Sequence, residues 1–353
     1  VNPPDRIVML SPMLPAPTGN GLAMRLWAWL CGAAVGHGVD LFVVPVAGSS
    51  GVEATLPPNV ICHVVSPPYI DDSRDLVAWL TDPVWRERLA RLAPIHAPVR
   101  LAPPALATRM VGSVSGPPSL VLACRLVLGP LGLAVSEQLG IPLVIDVDDD
   151  EHQFQLATGD AESAAAMDRL AALCLPAADL VTTAAAEDAA GISARLGLAG
   201  RVAHVPNCVE FGEDAATPRT GNGRLLMVAN LTYEPNIRGA RWFVDEVLPL
   251  LPDRWSLDLV GEPAPEVVGL AGPRVRVHGW LPELDECYAP ADVVIVPVHH
   301  GSGTRIKLLE ACAHRRPVVS TSLGASGLGL RAGTEVLIAD TPAGFAAAVE
   351  RAG

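Results

Sequence analysis

Lysine is almost absent from this chain: Lys307 is the only one in 353 residues, and every other basic side chain is arginine. Against 25 basic residues stand 38 acidic ones, for a formal net charge of -13. A surface so short of positive charge cannot displace the counterions of a nucleic acid or hold an anionic membrane, so both are excluded as nonspecific partners. Any anionic ligand must meet a local basic pocket. Metal-type cysteine spacing is also missing. Cys31, Cys62, Cys124, Cys174, Cys208, Cys287 and Cys312 are scattered, mostly among apolar residues, with no C-x-x-C pair and no Cys/His zinc pattern. They read as free thiols in a reducing compartment, which makes a cytoplasmic location the expectation. No long apolar run is present either. SLVLACRLVLGPLGLAV is broken by Arg125, Gly129 and Pro130, so it reads as strand, turn and helix, and no stable membrane insertion is expected. The opening VNPPDRIVML does not read as a signal peptide.

What is there is apolar. Half of the residues are hydrophobic and 18% are charged, a balance that buries large cores and speaks against disorder. At this length two domains are expected. The first half alternates short apolar runs with helical ones. RIVML leads through SPMLPAPTGNG into LAMRLWAWLCGAAVG, and DLFVVPV returns as a strand. Further strands are expected at VICHVV, SLVLAC, PLVIDV, DLVTTA and RVAHVP, with helices near 130–139, 161–175 and 186–197. EDAATPRTGNG is polar and rich in turn formers, and marks a linker. The grammar then restarts: strands at GRLLMVAN, WSLDLVG, RVRVHGW, ADVVIVPV, PVVSTS and EVLIA, helices at PNIRGARWFVDEVLPLL and RIKLLEACAH. Continuous apolar strands alternating with helices imply parallel sheets covered on both faces. The expectation is α/β: an N-terminal doubly wound domain over 1–210, a linker over 211–223 and a second such domain over 224–353. They would face one another across a cleft where strand carboxyl ends meet ligands. No sequence-level repeat is visible beyond this shared architecture.

The lone lysine lies in GSGTRIKLLEA, between a buried strand and an apolar helix. Gly301 and Gly303 let backbone N–H groups approach a ligand closely, and Ser302 or Thr304 can cap the helix. The helix start offers donors and a positive dipole end to an anion. Lys307 is expected about one turn in, and Glu310, three residues on, shares its face. A diphosphate at the turn with a ribose along the helix would meet these groups in order, the carboxylate accepting from a vicinal diol. The bland alternative is a surface ion pair on a capped helix, which contributes little.

The stretches GRLLMVANLTYEPNIRGARWFVDEVLPLLP, RVRVHGWLPELDECYAPADVVIVPV and GSGTRIKLLEACAHRRPVVSTSLGASGL resemble the nucleotide-sugar domain of family 4 glycosyltransferases, which have the GT-B fold. PTGNGLAMRLWAWL, IPLVIDVDDDE, ADLVTTAAAED and RVAHVPNCVEF resemble its acceptor domain, so the likeness covers nearly the whole chain. The resemblance implies a retaining transfer of sugar from a nucleoside diphosphate, with no metal cofactor. It gives Glu310 the role of binding the donor ribose. The family's preceding glutamate falls on Ser302 here, a departure at the position that meets the donor sugar. Negative charge grows on the leaving diphosphate as the anomeric bond breaks, and fixed cations must stabilise it. Lys307, Arg305 and the helix-start amides are the candidates, with Arg238 behind them; Asn230 either binds phosphate or caps its loop.

On the acceptor side the resemblance carries Gly19, Asn20 and Gly21 to the donor phosphates, with Arg25 as a neighbour. As a dinucleotide fingerprint this loop is poor, because Met24 stands where the third glycine belongs and Asp40 precedes the second strand. DVDDDEH packs Asp146, Asp148, Asp149, Asp150 and Glu151 after a strand, and such crowding raises some carboxyl pKa values unless cations relieve it. Three readings compete: a D-x-D metal site, a solvated acidic loop, and an acceptor site. The third is preferred, with Asp148 and Asp149 orienting or deprotonating the acceptor and His152 standing in for the family's histidine. WLTDPVWRERLARLAPIHAPVR reads as a surface helix with its tryptophans inward. Family members usually continue with a helix that crosses back to the first domain; here either that tail lies beyond this sequence or the end is shortened. The expected activity is retaining glycosyl transfer to a hydroxyl or amine, in bacterial natural-product or cell-surface glycan synthesis. Rivals are an epimerase or hydrolase of the same fold and a noncatalytic sugar- or nucleotide-binding protein.

Overall fold

The computed structural model describes residues 5–46, 55–65, 87–88, 106–157, 159–209, 221–281, 284–301 and 305–353. The chain divides into two compact units, Val1–Pro206 and Asn207–Gly353. Of the expected linker 211–223, only 221–223 is described, and of the basic stretch near residue 88 only Glu87 and Arg88, the latter 2.8 Å from Glu137.

The first unit is a seven-stranded parallel sheet in the order β3-β2-β1-β4-β5-β6-β7. Its strands are β1 Arg6–Ser11, β2 Gly38–Val43, β3 Val60–Val64, β4 Pro118–Cys124, β5 Leu143–Asp148, β6 Leu180–Thr183 and β7 Val202–His204. Successive side chains of a strand leave opposite faces, and here both faces are covered. Val8 and Leu10 of β1 join one apolar cluster, while Ile7 and Met9 join another with Leu26 and Leu30 of helix α1, Gly21–Ala34. That is why the strands read as unbroken apolar runs. Helices α3 Gly129–Leu139, α5 Ala161–Cys174 and α6 Ala186–Leu196 fall where the sequence places them. α3 has Pro130 in its first turn, and both α3 and α6 end on a left-handed glycine, Gly140 and Gly197. Two short helices, α2 Leu106–Val111 and α4 Glu151–Ala157, carry too few residues to show a period and were not expected.

The second unit is a six-stranded parallel sheet in the order β10-β9-β8-β11-β12-β13. It comprises β8 Arg224–Val228, β9 Ser256–Val260, β10 Val275–His278, β11 Val293–Val296, β12 Val318–Ser320 and β13 Leu337–Ile338. Its helices are α7 Glu234–Trp242, α8 Pro265–Val268, α9 Leu284–Tyr288, α10 Ile306–Ala313 and α11 Pro342–Ala352. The single helix expected over 235–251 is corrected. The α-helix stops at Trp242 and runs on as a π turn, Phe243–Val247, and a 3₁₀ turn, Leu248–Leu250. Pro249 has no N–H to give to a continuing α-helix.

Known registers reveal a repeat that the letters hide. β1 begins with Arg6, β2 has Asp40 third and β3 has His63 fourth; β8 begins with Arg224, β9 has Asp258 third and β10 has His278 fourth. The pairing is the same, Arg6 opposite Gly38 and Asp40 opposite Ile61, Arg224 opposite Ser256 and Asp258 opposite Arg276. Arg6 Nε donates to Asp40 Oδ2 at 2.7 Å, and Arg224 donates to Asp258 Oδ2 at 2.7 Å. His63 Nε2 lies 3.3 Å from Asp40 Oδ1, and His278 Nε2 2.9 Å from Asp258 Oδ1. Asp40 therefore lies inside β2, not before it. Burial alone would raise both carboxyls, yet these donors hold each below the usual range: Arg6, Ser115 and His63 for Asp40, His278 and Arg224 for Asp258.

Asp40→Asn is expected to cost about 3 kcal/mol, because it strands a guanidinium beside a fully buried position. Asp258→Asn should cost less, since Arg224 remains one-third exposed. With depressed native pKa values, both deficits are full above about pH 3.9 and shrink as the pH falls from there through each carboxyl's lower native pKa. Urea unfolding of the variants at several pH values reads this directly.

Candidate functional site

In a doubly wound sheet, ligands meet the strand carboxyl ends where chain order reverses. In the second unit that point lies between the neighbouring strands β8 and β11. Helix α7, which follows β8, rests against the loop after β11, so closely that a side chain on Gly239 would collide with the Pro297 carbonyl. Gly301 has φ 105, a conformation side chains rarely adopt. A Cβ on it would stand 3.2 Å from Pro235 Cγ, 3.3 Å from an Arg305 guanidinium nitrogen and 3.4 Å from the Tyr233 hydroxyl. Three side chains from two helix starts thus converge on one exposed-backbone turn. His299 beside it packs edge-on against Trp242, ring centroids 4.4 Å apart. The pKa of His300 is lowered by burial and then by the charge of Arg238.

Ser302, Gly303 and Thr304 lie outside the described residues. The N-cap position of α10 is Arg305, whose own side chain makes no capping bond. Lys307 is therefore the second residue of the helix, in its first turn, not a turn further in. Its Nζ lies 3.0 Å from Glu310 Oε1 and 2.9 Å from Oε2. This is no surface pair, because the Glu310 side chain is 3% exposed and that of Lys307 23%. Beneath the carboxylate, the hydroxyl of buried Tyr288 donates to Glu310 Oε2 at 3.3 Å. A carboxylate this deep is tolerated only with such partners.

Two further candidates have structural employment. Asn230 Oδ1 accepts from the Thr232 N–H at 3.0 Å and its hydroxyl at 2.7 Å, which is the loop-capping alternative. Arg238 pairs with Glu234 one turn earlier at 2.7 Å and is 64% exposed.

The first unit reverses its order between β1 and β4. The loop after β1 carries Gly19, with φ 106, then Asn20, whose side chain caps α1 through the Ala23 N–H at 2.9 Å, then Gly21 as the first helical residue. Arg25, expected beside a donor phosphate, is instead buried. It donates to Asp146 at 2.9 and 2.6 Å and to the Val205 carbonyl at 3.0 Å, and reaches Asp148 at 3.3 Å. The acidic run is likewise not a solvated loop. Asp146 also accepts from Thr182 at 2.7 Å; Arg125 holds Asp148 at 3.1 Å and Glu151 at 2.5 Å; Arg195 holds Asp150 at 2.6 Å. Arginine from α1, α6 and the end of β4 supplies the cations. Among the described residues no group of three or more His, Cys, Asp or Glu side chains is placed to hold a metal ion. His152 Nδ1 lies 3.0 Å from the Ala164 carbonyl oxygen.

Strain marks this strand end. Arg125 has φ 73 and Asp148 φ 66, and the β5–β6 register shifts between Asp146 and Asp148. Burial, and after it the charge of Asp149, pushes the Asp148 carboxyl up to about 7 against the pull of Arg125 and Arg25. Sequence reading missed Arg125, Arg195, Tyr233 and Tyr288. Only the tyrosines left a trace, as two of just three in the chain.

Residues 222–352 match the family described as "Glycosyl transferases group 1". A curated relative, an "uncharacterized 44.6 kDa protein in cps region" of Klebsiella pneumoniae, is 27% identical over 139 residues, 35% of this chain and 36% of that protein. The chain therefore spans about a third of that relative's length. Sucrose-phosphate synthase from Thermosynechococcus elongatus is similar in structure, with TM-score 0.71 and 18% identity over 98% of this chain and 89% of its own. The α,α-trehalose 6-phosphate synthase of Burkholderia multivorans gives TM-score 0.65 and 16% identity over 99% and 89%. HepE of Anabaena, solved with UDP and glucose, gives 0.63 and 15% over 98% and 89%. The fold is the two-domain α/β GT-B architecture, with a doubly wound parallel sheet in each unit.

Gly301→Ala is expected to cost about 1–3 kcal/mol in backbone strain and crowding at the turn, read by denaturant unfolding. For Asp148, a raised native pKa means the folded state keeps a proton that the unfolded chain has lost. Its contribution thus makes stability fall as pH rises from about 4 to about 7. Asp148→Asn should remove that slope, which unfolding measured across the window will show.

Proposed function

We propose that the protein is a glycosyltransferase of the family 4 type, moving a sugar from a nucleoside diphosphate to an acceptor hydroxyl or amine with retention at the anomeric carbon. The observation that carries this reading is the grouping at the β8/β11 reversal. Gly301, Arg305 and Lys307 stand at a helix start, followed one turn on by buried Glu310, inside the segment that matches group 1 glycosyltransferases. HepE, of the same fold, was solved with UDP and glucose, which supports a nucleotide as a ligand of this fold.

In this reading the first turn of α10 receives the diphosphate. Amides and the dipole end face the anion, and Arg305 and Lys307 supply full charges. The ammonium has three donors, so it can hold the Glu310 carboxylate and reach a phosphate oxygen together. As the anomeric bond breaks, charge moves onto the leaving diphosphate, and these cations are already in place, which lowers the barrier without reorganisation. Glu310 takes the ribose diol. Gly19, Asn20 and Gly21 are the first unit's candidates for the donor phosphates, and Ser302, Gly303 and Thr304 remain candidates in the second. Arg238 is a reserve contact, reached by giving up its exposed partner Glu234.

The acceptor belongs to the first unit, at the strained end of β5. Asp148, with its pKa near neutrality, is suited to receive or share an acceptor proton, and Asp149 and His152 flank it. The synthases of this fold are named for phosphorylated disaccharides, which favours a sugar hydroxyl as acceptor. The work of such an enzyme is cytoplasmic assembly of a bacterial natural product or cell-surface glycan.

Lys307→Ala should weaken nucleoside diphosphate binding about 30-fold, equivalent to about 2 kcal/mol, and lower turnover at least as much. Glu310→Gln should impair mainly nucleoside recognition. Calorimetric titration with a panel of nucleoside diphosphates checks both, and unchanged affinity in both refutes the donor site. Release of nucleoside diphosphate from a sugar nucleotide only when an acceptor is present supports transfer. Release without acceptor supports the hydrolase rival, and binding without turnover the noncatalytic one.

A further inference from the structure

Glu310 is usually thought of from its open side, where a ligand would arrive. The closed side is as informative. Tyr288 ends helix α9, a separate element, and is fully buried. Its hydroxyl meets Glu310 Oε2 at 3.3 Å and the Lys307 backbone carbonyl at 3.5 Å. Its ring stacks on His314, centroids 4.4 Å apart and planes 10° from parallel. His314 closes α10, its N–H donating to the Glu310 carbonyl at 2.9 Å. One phenol therefore touches the start, the middle and the end of the helix that carries Lys307 and Glu310.

We infer that Tyr288 is a positioning residue: it holds the Glu310 carboxylate from the interior so that its remaining acceptor capacity meets a hydroxyl of a nucleoside ribose. The inference rests on the donor-site reading above. Being buried, Tyr288 does not touch a ligand and acts only through Glu310. The direction of the bond is set by chemistry. Burial, and then the negative charge of Glu310, raises the phenol pKa well above its ordinary value, so the hydroxyl stays protonated and donates. Lys307 donates as well. A carboxylate accepts at about four sites; the Lys307 ammonium meets both oxygens and Tyr288 adds a bond to Oε2, so the capacity left for a ribose hydroxyl lies on Oε1. Without the phenol, the Glu310 side chain keeps its ion pair but loses the contact that fixes its rotation.

The test is the ratio of affinities for a ribonucleoside diphosphate and its 2′-deoxy counterpart, measured calorimetrically for UDP, GDP and ADP and their deoxy forms, beside inorganic pyrophosphate. Wild type should prefer the ribo form by roughly tenfold. Tyr288→Phe keeps the ring and its stacking, and should cut that ratio by at least threefold while leaving pyrophosphate affinity unchanged. Glu310→Gln should lower it too, and the double variant should lose nothing beyond Glu310→Gln, because the two residues act as one unit. Should Tyr288→Phe not fold, His314→Leu, which removes the stacking partner but keeps the hydroxyl, is expected to lower the ratio in the same direction. An unchanged ratio in the folded variant, or additive losses in the double variant, overturns the inference alone. Wild type that binds none of these diphosphates, or binds ribo and deoxy forms equally, overturns the donor-site reading and the inference with it.

Discussion

A carboxylate buried beneath the chain's only ammonium is the constraint on which the second unit's site depends. At 3% exposure the Glu310 side chain is met by Lys307 and Tyr288, the kind of partners a buried carboxylate requires. The pair ties the first turn of α10 to its middle, and Tyr288 ties both to α9. The turn that precedes the helix is held in the same way from the other side, where Gly239 admits the Pro297 backbone and Gly301 admits Tyr233, Pro235 and Arg305. A lysine retained once among 24 arginines acquires a physical reason here. An ammonium is a compact charge on a flexible stem, able to sit between a carboxylate and an anion where a planar guanidinium would demand a fork-shaped partner.

Both units separate two uses of charge along the same strands. Towards the strand starts, Arg6, Asp40 and His63, and in identical register Arg224, Asp258 and His278, lock three neighbouring strands. At or beyond the strand ends, Arg125, Asp148, Gly301 and Arg305 occupy strained or sterically special positions. The first set pairs each aspartate with an arginine and a histidine, holds both carboxyl pKa values below the usual range, and serves the sheet. The second includes a carboxyl raised towards neutrality and backbone angles that cost energy, which is where chemistry is found in doubly wound folds.

Most of the architecture was legible because periodicity and burial are local properties. Strands such as RIVML and PLVIDV, the helix at LAMRLWAWL and the kinship of Lys307 with Glu310 follow from spacing alone. The partners of the acidic run were hidden for the opposite reason. Its neutralising cations, Arg25, Arg125 and Arg195, come from positions 121, 23 and 45 residues away, and no window around DVDDDEH contains them all. The same holds for Tyr288, 22 residues from the carboxylate it touches. The Arg–Asp–His repeat was hidden because its three members lie on separate strands, so only the pairing register brings them together. Asn230 offered two chemistries of equal merit, and its bonds to Thr232 show the loop-capping one. The Phe243–Val247 turn looked helical because its apolar spacing is helical.

The central claim is that the mouth of α10 neutralises a pyrophosphate while Glu310 takes the ribose. A crystal structure with bound nucleoside diphosphate tests it most directly. The account predicts phosphate oxygens within hydrogen-bond reach of Arg305 and Lys307, with ribose hydroxyls on Glu310. A nucleotide seated elsewhere in the second unit, with Lys307 and Glu310 touching nothing but each other and the protein, would contradict it.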